Sequence, residues 1–349
     1  MSDRRLRVVQ WATGNIGTRA LRELIRHPAL DLAGVLVYDP AKNGVDAGLL
    51  CGEDPVAVYA TDDRAAIHAL AADCVLYMPR IFDLDDVVAL LEAGTNVVTT
   101  RGELFGGGHR LGDASRQRIV DACARGRSSV YATGSSPGFI SETLPLALLS
   151  MQRDVESIAI DEYADMSRRD SPHMLFEQMG FGKPLDSYNP ARAAYLVGEF
   201  SPSLATLAEA AGRPVDEWTG TGEVAAARHR TTLVAGELPA GSVAAQRTNV
   251  VGTAGGVEVI RFSANWYCTT DIEPAWDLRP TGWRVRVRGD APFDVDLTFP
   301  VPVEDLGSVT PAYTANRPVN AVRYVCAAPP GILATTDLPV FTPAGRAAT

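Results

Sequence analysis

The sequence predicts an α/β chain. A doubly wound parallel sheet occupies the first 140 or so residues, and an α+β region with a mostly antiparallel sheet follows. Three observations carry this reading. Strand patterns, Gly or Pro punctuation and helix patterns alternate through the N-terminal part. The run Val8-Val9-Gln10-Trp11-Ala12-Thr13-Gly14-Asn15-Ile16-Gly17 passes from an apolar strand into a helix through a glycine turn. From Gly222 onward the chain changes to the two-residue alternation of strands separated by turn residues.

Arg7–Trp11 opens the first sheet, and Ile16–Arg26 forms a helix with an apolar stripe of Ile16, Leu21, Leu24 and Ile25. Leu32–Tyr38 is the second strand and ends at Asp39-Pro40. The helical stretch Asp63–Ala71 precedes the strand Cys74–Met78, which ends at Pro79. Leu84–Ala93 is a helix closed by Gly94, and Asn96–Thr100 a strand. Ala114–Ala124 is a helix closed by Gly126, and Ser129–Ala132 a strand that runs into the loop Thr133–Phe139. Repeated strand, turn and helix units of this length describe a doubly wound domain over residues 1–140.

Composition changes after about Met151. Ser157–Tyr163 reads as a strand, followed by a polar loop through Arg169 and a Met- and Phe-rich segment, His173–Phe181. Arg192–Ala211 reads as helical and suited to covering a sheet, with Ser201-Pro202 splitting it so that Pro202 opens a second helix. Glu223–Val234, Gly241–Val251, Val257–Trp266, Trp283–Arg288 and Asp294–Phe299 read as strands. Thr314–Ala328 is helical and stopped by Pro329-Pro330-Gly331. It is expected to cross back, so that 311–349 joins the first domain and 141–310 forms a substrate-binding and dimerisation domain.

Hydrophobic content of 46% and charged content of 21% in 349 residues are those of an ordinary globular chain of two domains. A net charge of −10 without any Lys/Arg-rich run argues against nucleic acid or an anionic membrane as partner. Met1-Ser2-Asp3-Arg4-Arg5 enters the first strand with no apolar signal segment, and the apolar stretch Leu144–Met151 is too short to span a bilayer. Cys51, Cys74, Cys123, Cys268 and Cys326 are odd in number and widely spaced, which suits buried thiols and a cytoplasmic location. The histidines (His27, His68, His109, His173, His229) show no metal-binding spacing, so no metal site is expected.

The glycine run is G-x-G-x-x-G with Ala12 in place of the first glycine. Backbone N–H groups over Ala12, Thr13, Gly14, Asn15, Ile16 and Gly17, with the positive end of the helix dipole, form a place for a dinucleotide's pyrophosphate. The plainer alternative is a tight βα turn with no ligand. Asp39, about 20 residues beyond, suits the ribose 2′-OH of NAD. Lys42 suits the 2′-phosphate of NADP, and Asp39-Pro40 also makes a plain turn opener, so NAD(H) and NADP(H) both stay open. In a doubly wound Rossmann domain ligands lie beyond the carboxyl ends of the strands. This makes Met78, Pro79, Thr100, Gly102, Ser135 and Pro137 cofactor-binding candidates. Glu103 falls where a nicotinamide ring would lie. Beside Leu104 and Phe105 it reads either as a desolvated general acid/base or as a solvated loop acid. Phe139 could shield the nicotinamide or staple the core. Ser135 and Ser136 have no neighbouring His–Asp pair that would make a nucleophile.

Taken together, the Trp11–Gly17 run, the Gly102-Glu103 turn, the Pro137-Gly138-Phe139 loop and the segment Val319-Asn320-Ala321…Pro329-Pro330-Gly331 resemble one family along nearly the whole chain. It is that of the 2,4-diaminopentanoate dehydrogenases and native amine dehydrogenases, built on the dihydrodipicolinate reductase fold. The His-rich catalytic segment of true dihydrodipicolinate reductases is missing. Glu162-Tyr163-Ala164-Asp165-Met166-Ser167-Arg168-Arg169 stands in its place, which speaks against lysine biosynthesis. The resemblance implies that Glu103 handles the ammonia and protonates the carbinolamine. The implied reaction is NAD(P)H-dependent reductive amination of a small ketone or aldehyde, or its reverse. Phe139, Tyr163, Met174 and Phe176 are candidate walls of a dry pocket. Arg168 and Arg169 remain available to clamp a carboxylate. Asn320 would either hold the cofactor's amide or cap a turn. Two alternatives stand beside this: a dehydrogenase of a diamino or hydroxy acid, and a non-catalytic dinucleotide sensor. An antiparallel second sheet suggests a homodimer.

Overall fold

The structure, a computed structural model, describes residues 4–344. In chain order it runs β1 (Leu6–Trp11), α1 (Asn15–Arg26), β2 (Leu30–Leu36), α2 (Ala47–Cys51), β3 (Ala60–Thr61), α3 (Arg64–Ala69), β4 (Cys74–Tyr77), α4 (Leu84–Glu92) and β5 (Asn96–Thr99). Then come α5 (Asp113–Gly126), β6 (Ser129–Ala132), α6 (Leu144–Leu149), β7 (Val155–Asp165), α7 (Ala191–Ala210), β8 (Glu217–Ala227), β9 (Thr231–Leu233) and β10 (Gly236–Leu238). The remainder is β11 (Val243–Ala254), β12 (Val257–Tyr267), β13 (Ile272–Glu273), β14 (Gly282–Gly289), β15 (Phe293–Thr298), α8 (Leu306–Val325) and β16 (Gly331–Leu333). Two compact units result: residues up to Phe139 with those from Val309 onward, and Ile140–Ser308.

The first unit is built on a sheet ordered β16, β6, β5, β4, β1, β2, β3, and every pairing in it is parallel. Both faces are covered, as parallel sheets require. On one face Trp11, Val75, Tyr77 and Val97 pack against Val87 and Leu91 of α4 and Ile119 of α5. On the other, Val8, Leu76 and Tyr131 pack against Ala20 and Leu24 of α1 and Val319, Val322 and Val325 of α8. The returning C-terminal helix is thus part of this core. Strand order reverses between β1 and β4, and the crevice rule places ligands at the carboxyl ends of those two strands.

Several segments depart from the sequence reading. Ala47–Cys51 and Ala60–Thr61 lie in a stretch to which the sequence reading assigns no element, being too short to show a period. Pro329-Pro330-Gly331 does more than stop a helix. The Gly331 N–H donates to the Ser128 carbonyl at 3.1 Å and starts the seventh strand, β16. Helix α8 begins at Leu306 and carries Pro311 and Pro318 within it.

The second unit's sheet runs β13, β8, β11, β12, β7, β14, β15. It is antiparallel except where β12 pairs with β7. Helix α7 covers one face, placing Leu196, Phe200, Leu204 and Leu207 on Ile158, Ile160, Phe262 and Val285. The Phe200 and Phe262 rings stack at 4.0 Å. Pro202 does not split α7. The buried stripe continues through it, and that packing outweighs the bond and fit a proline costs in a helix interior. Nor is Glu223–Val234 one strand. Strand β8 starts earlier, because Gly220 and Gly222 act as close-approach positions and not as a turn: a Cβ on Gly220 would lie 2.8 Å from Val197, and one on Gly222 would strike the Tyr188 ring.

Candidate functional site

The glycine turn follows β1 directly. Ala12 holds the left-handed conformation (φ 75°) that the first glycine of the motif would take, which costs an alanine about 1–2 kcal/mol. Its N–H donates to the Leu36 carbonyl at 2.9 Å, and its carbonyl accepts from the buried Gln10 side chain at 2.8 Å. That carbonyl is also what requires Gly17, where a Cβ would sit 2.1 Å from it. Gly14, the N-cap of α1, has open space where a Cβ would stand, and no side chain caps the helix. The turn therefore presents an uncapped helix N-terminus beside an unfilled flank, which fits an anionic ligand. Lys42 reaches over the turn, its Nζ donating to the Thr13 carbonyl at 2.8 Å. Asp39 accepts the Ala41 N–H at 3.0 Å, so one carboxylate oxygen is spent on a turn.

The other strand ends line up beside this turn. Met78 donates its N–H to the Trp11 carbonyl at 3.0 Å, which puts Met78 and Pro79 next to Ala12 at the switch point. Thr99 bonds the Tyr77 carbonyl through its hydroxyl at 2.5 Å, and Thr133 donates its N–H to the Thr99 carbonyl at 2.8 Å. Thr100, Gly102 and the loop from Thr133 to Phe139 thus share one carboxyl edge with the glycine turn.

Glu103 stands on that edge in a one-turn helix after Arg101. Its surroundings include a partner that the sequence expectation did not name. Leu104 and Phe105 are buried in the sheet's core. Glu103 forms a two-pronged ion pair with Arg101, Nε to Oε2 at 3.1 Å and a terminal nitrogen to Oε1 at 2.6 Å, each side chain being 26% exposed. Arg101 is itself anchored on the Arg80 carbonyl at 2.8 Å. The carboxylate is therefore oriented by charge-assisted hydrogen bonds and open to a ligand on its free side.

In the loop after β6, the Ser135 hydroxyl bonds that of Thr314 at 2.6 Å. The buried Ser136 hydroxyl has no partner among the described residues. The Ser136-Pro137 bond is cis, and Phe139 lies under the Arg317 guanidinium at 5.6 Å. Arg317 also donates to the Thr133 hydroxyl at 3.2 Å. Asn320 is placed elsewhere. It lines a small hollow with Glu23, Arg26 and His27, at the C-terminal end of α1. That is a 12-residue helix, about 18 Å, from the glycine turn, so Asn320 does not hold the cofactor's amide.

In the second unit lie Tyr163, Met174 and Phe176. Met174 and Phe176 pack on a small core around Leu175, Phe181, Leu233 and Leu238. Tyr163 alternates onto the opposite face of β7 from Glu162. Burial pushes its hydroxyl up, with Asp161 adding to the effect. Glu162 instead accepts from the indoles of Trp266 (3.1 Å) and Trp283 (2.9 Å). Tyr163 is not among the residues of the core that holds Met174 and Phe176.

Among the described residues, no cluster of His, Cys, Asp and Glu could hold a metal ion, and no helix is long and apolar enough to cross a membrane. Cys51, Cys74, Cys123 and Cys268 are buried thiols, whereas Cys326, expected with them, is only half-buried. Sequence reading missed Arg101, Arg317 and the contact of Lys42 with Thr13. Only Arg101 had a visible signal, an opposite charge two residues from Glu103.

No family model matches the chain. An amine dehydrogenase of Streptomyces virginiae is 29% identical over 351 residues, spanning 97% of both chains. An amine dehydrogenase structure from Mycobacterium smegmatis matches with a TM-score of 0.73 at 18% identity, over 98% of this chain and 97% of that one. A myo-inositol dehydrogenase from Corynebacterium glutamicum matches at a TM-score of 0.52 and 15% identity, over 91% and 89%. The chain resembles amine dehydrogenases along its whole length, in sequence and in fold.

Proposed function

From that full-length likeness we propose that the chain is an NAD(P)-dependent oxidoreductase acting on CH–NH2 donors. Its reaction is the reductive amination of small ketones or aldehydes with ammonia, or the reverse deamination. The observation that carries this reading is the placement of Glu103 on the same carboxyl edge as the uncapped glycine turn. The N–H groups over Asn15, Ile16 and Gly17 would hold a pyrophosphate, with Lys42 adding positive charge and Asp39 facing the ribose. Bound there, the nicotinamide supplies or accepts the hydride.

Glu103 accepts a proton from an ammonium ion and so frees ammonia to add to the carbonyl carbon. It returns that proton to the carbinolamine oxygen as water leaves, and its negative charge then stands beside the iminium cation. Arg101 keeps the carboxylate pointed through the two-pronged pair. Glu103→Gln keeps the shape and removes the charge. It is expected to lower turnover at least about 100-fold while leaving the affinity for NADPH or NADH within about 3-fold. Unchanged turnover would take Glu103 out of this role. Turnover without ammonium would assign the chain to hydroxy or diamino acids, and cofactor binding without any turnover would make it a dinucleotide sensor.

We also propose a homodimer formed through the second unit. Helix α7 covers only one face of that sheet, and the other carries Arg284 and Arg288 against Asp294. Sedimentation at twice 37.2 kDa is expected, and a monomer at micromolar concentration would contradict it.

A further inference from the structure

A cavity of about 590 Å³ lies wholly within the second unit, between the N-terminal end of α7 and strands β8, β11 and β12. Its volume is that of a small-molecule site. Tyr188, Tyr195 and Trp266 supply aromatic walls, and Arg192 supplies a cation.

The state of that cation is unusual. Arg192 is half-buried and, among the described residues, pairs with no carboxylate. Its guanidinium donates to the side chain of the buried Gln246 and to the Gln178 carbonyl at 2.8 Å. Gln246 is itself pinned through its amide to the Met179 carbonyl at 2.6 Å. The other lining charges, Lys183 and Glu177, face each other at 3.7 Å, so the cavity keeps the Arg192 charge uncompensated. Burial disfavours the charged form and moves its pKa down. A guanidinium has five N–H donors, and the two bonds above leave the rest of the fork for a ligand. A carboxylate is the partner that returns most of the lost solvation, because it meets the fork in two parallel hydrogen bonds.

We propose that this cavity binds a small monocarboxylate, with Arg192 as charge partner, Gln246 holding the guanidinium from behind and the aromatic walls receiving an aliphatic tail. This goes beyond the amine dehydrogenase reading, which calls for no anion here. Isothermal titration of the full chain without nicotinamide cofactor tests it, using hexanoate and the neutral hexanamide as probes. Hexanoate is expected to bind saturably and at least about tenfold more tightly than hexanamide, and Arg192→Gln to abolish that preference while Arg192→Lys keeps part of it. Equal binding of the two probes, no binding of hexanoate, or an unchanged preference in Arg192→Gln would overturn the proposal. The probe comparison uses the unaltered chain, so it decides even where a variant does not fold. Because it needs no turnover, its failure leaves the role of Glu103 untouched.

Discussion

An alanine at Gly14 meets open space, whereas one at Gly17 meets the Ala12 carbonyl at 2.1 Å. The two substitutions are therefore expected to separate. Gly14→Ala should leave the thermal midpoint nearly unchanged while weakening dinucleotide binding about tenfold or more, because the methyl fills the open flank proposed for the pyrophosphate. Gly17→Ala should lose about 2–3 kcal/mol of stability, since the clash is with backbone. Thermal denaturation and fluorescence titration with NADPH measure both, and a stable, fully binding Gly14→Ala would refute the pyrophosphate assignment. The glycine turn was legible because its residues are adjacent and each does one backbone job. The environment of Glu103 was not. Its position followed from chain order, but whether Leu104, Phe105 or Arg101 surrounds the carboxylate depends on which way a one-turn helix faces, and local composition does not fix that. Asn320 failed for a similar reason, since the register of a returning helix against the sheet is set by packing.

Helices and strands with strong periods came through to within a few residues, and the departures have physical causes. Helix α7 runs through Pro202 because its apolar stripe is buried along its whole length. Phe200→Ala, which removes the ring stacked at 4.0 Å on Phe262, is expected to cost about 3–5 kcal/mol in chemical denaturation. A loss below about 1 kcal/mol would mean that this contact does not hold the helix to the sheet. The short helix α2 was invisible to periodicity, yet it is firmly tied. Asp46 caps it at the Gly48 N–H (2.8 Å) and also accepts the N–H groups of Val56 and Ala57. Burial acts to raise the Asp46 carboxyl, but the backbone bonds from Val56, Gly48 and Ala57 outweigh it and bring it below its ordinary 3.8. A folded-state value below the unfolded one gives stability that is complete above about pH 5 and lost as pH falls through the folded value. Asp46→Asn should therefore lower the midpoint near pH 7, and the gap to the unaltered chain should close below about pH 4. A gap that does not change with pH would refute this role.

The described residues hold two seven-stranded sheets, one parallel and covered on both faces, the other mostly antiparallel with α7 on one face, and a two-stranded sheet of β9 and β10. This architecture was readable because the periodicity itself changes along the chain, from strand–helix alternation to strand–strand alternation. The seventh parallel strand was not, since three residues after Pro329-Pro330 acquire their identity only by pairing with β6. The net charge of −10 opposes association with polyanions. We propose that Glu103 and the glycine turn together perform amine chemistry. This is tested most directly by following NADPH or NADH oxidation with a short-chain aldehyde or ketone, with and without ammonium, and identifying the product by mass spectrometry. Oxidation is expected to require ammonium, to yield the primary amine and to disappear in Glu103→Gln. Oxidation that proceeds equally without ammonium and yields the alcohol would contradict it.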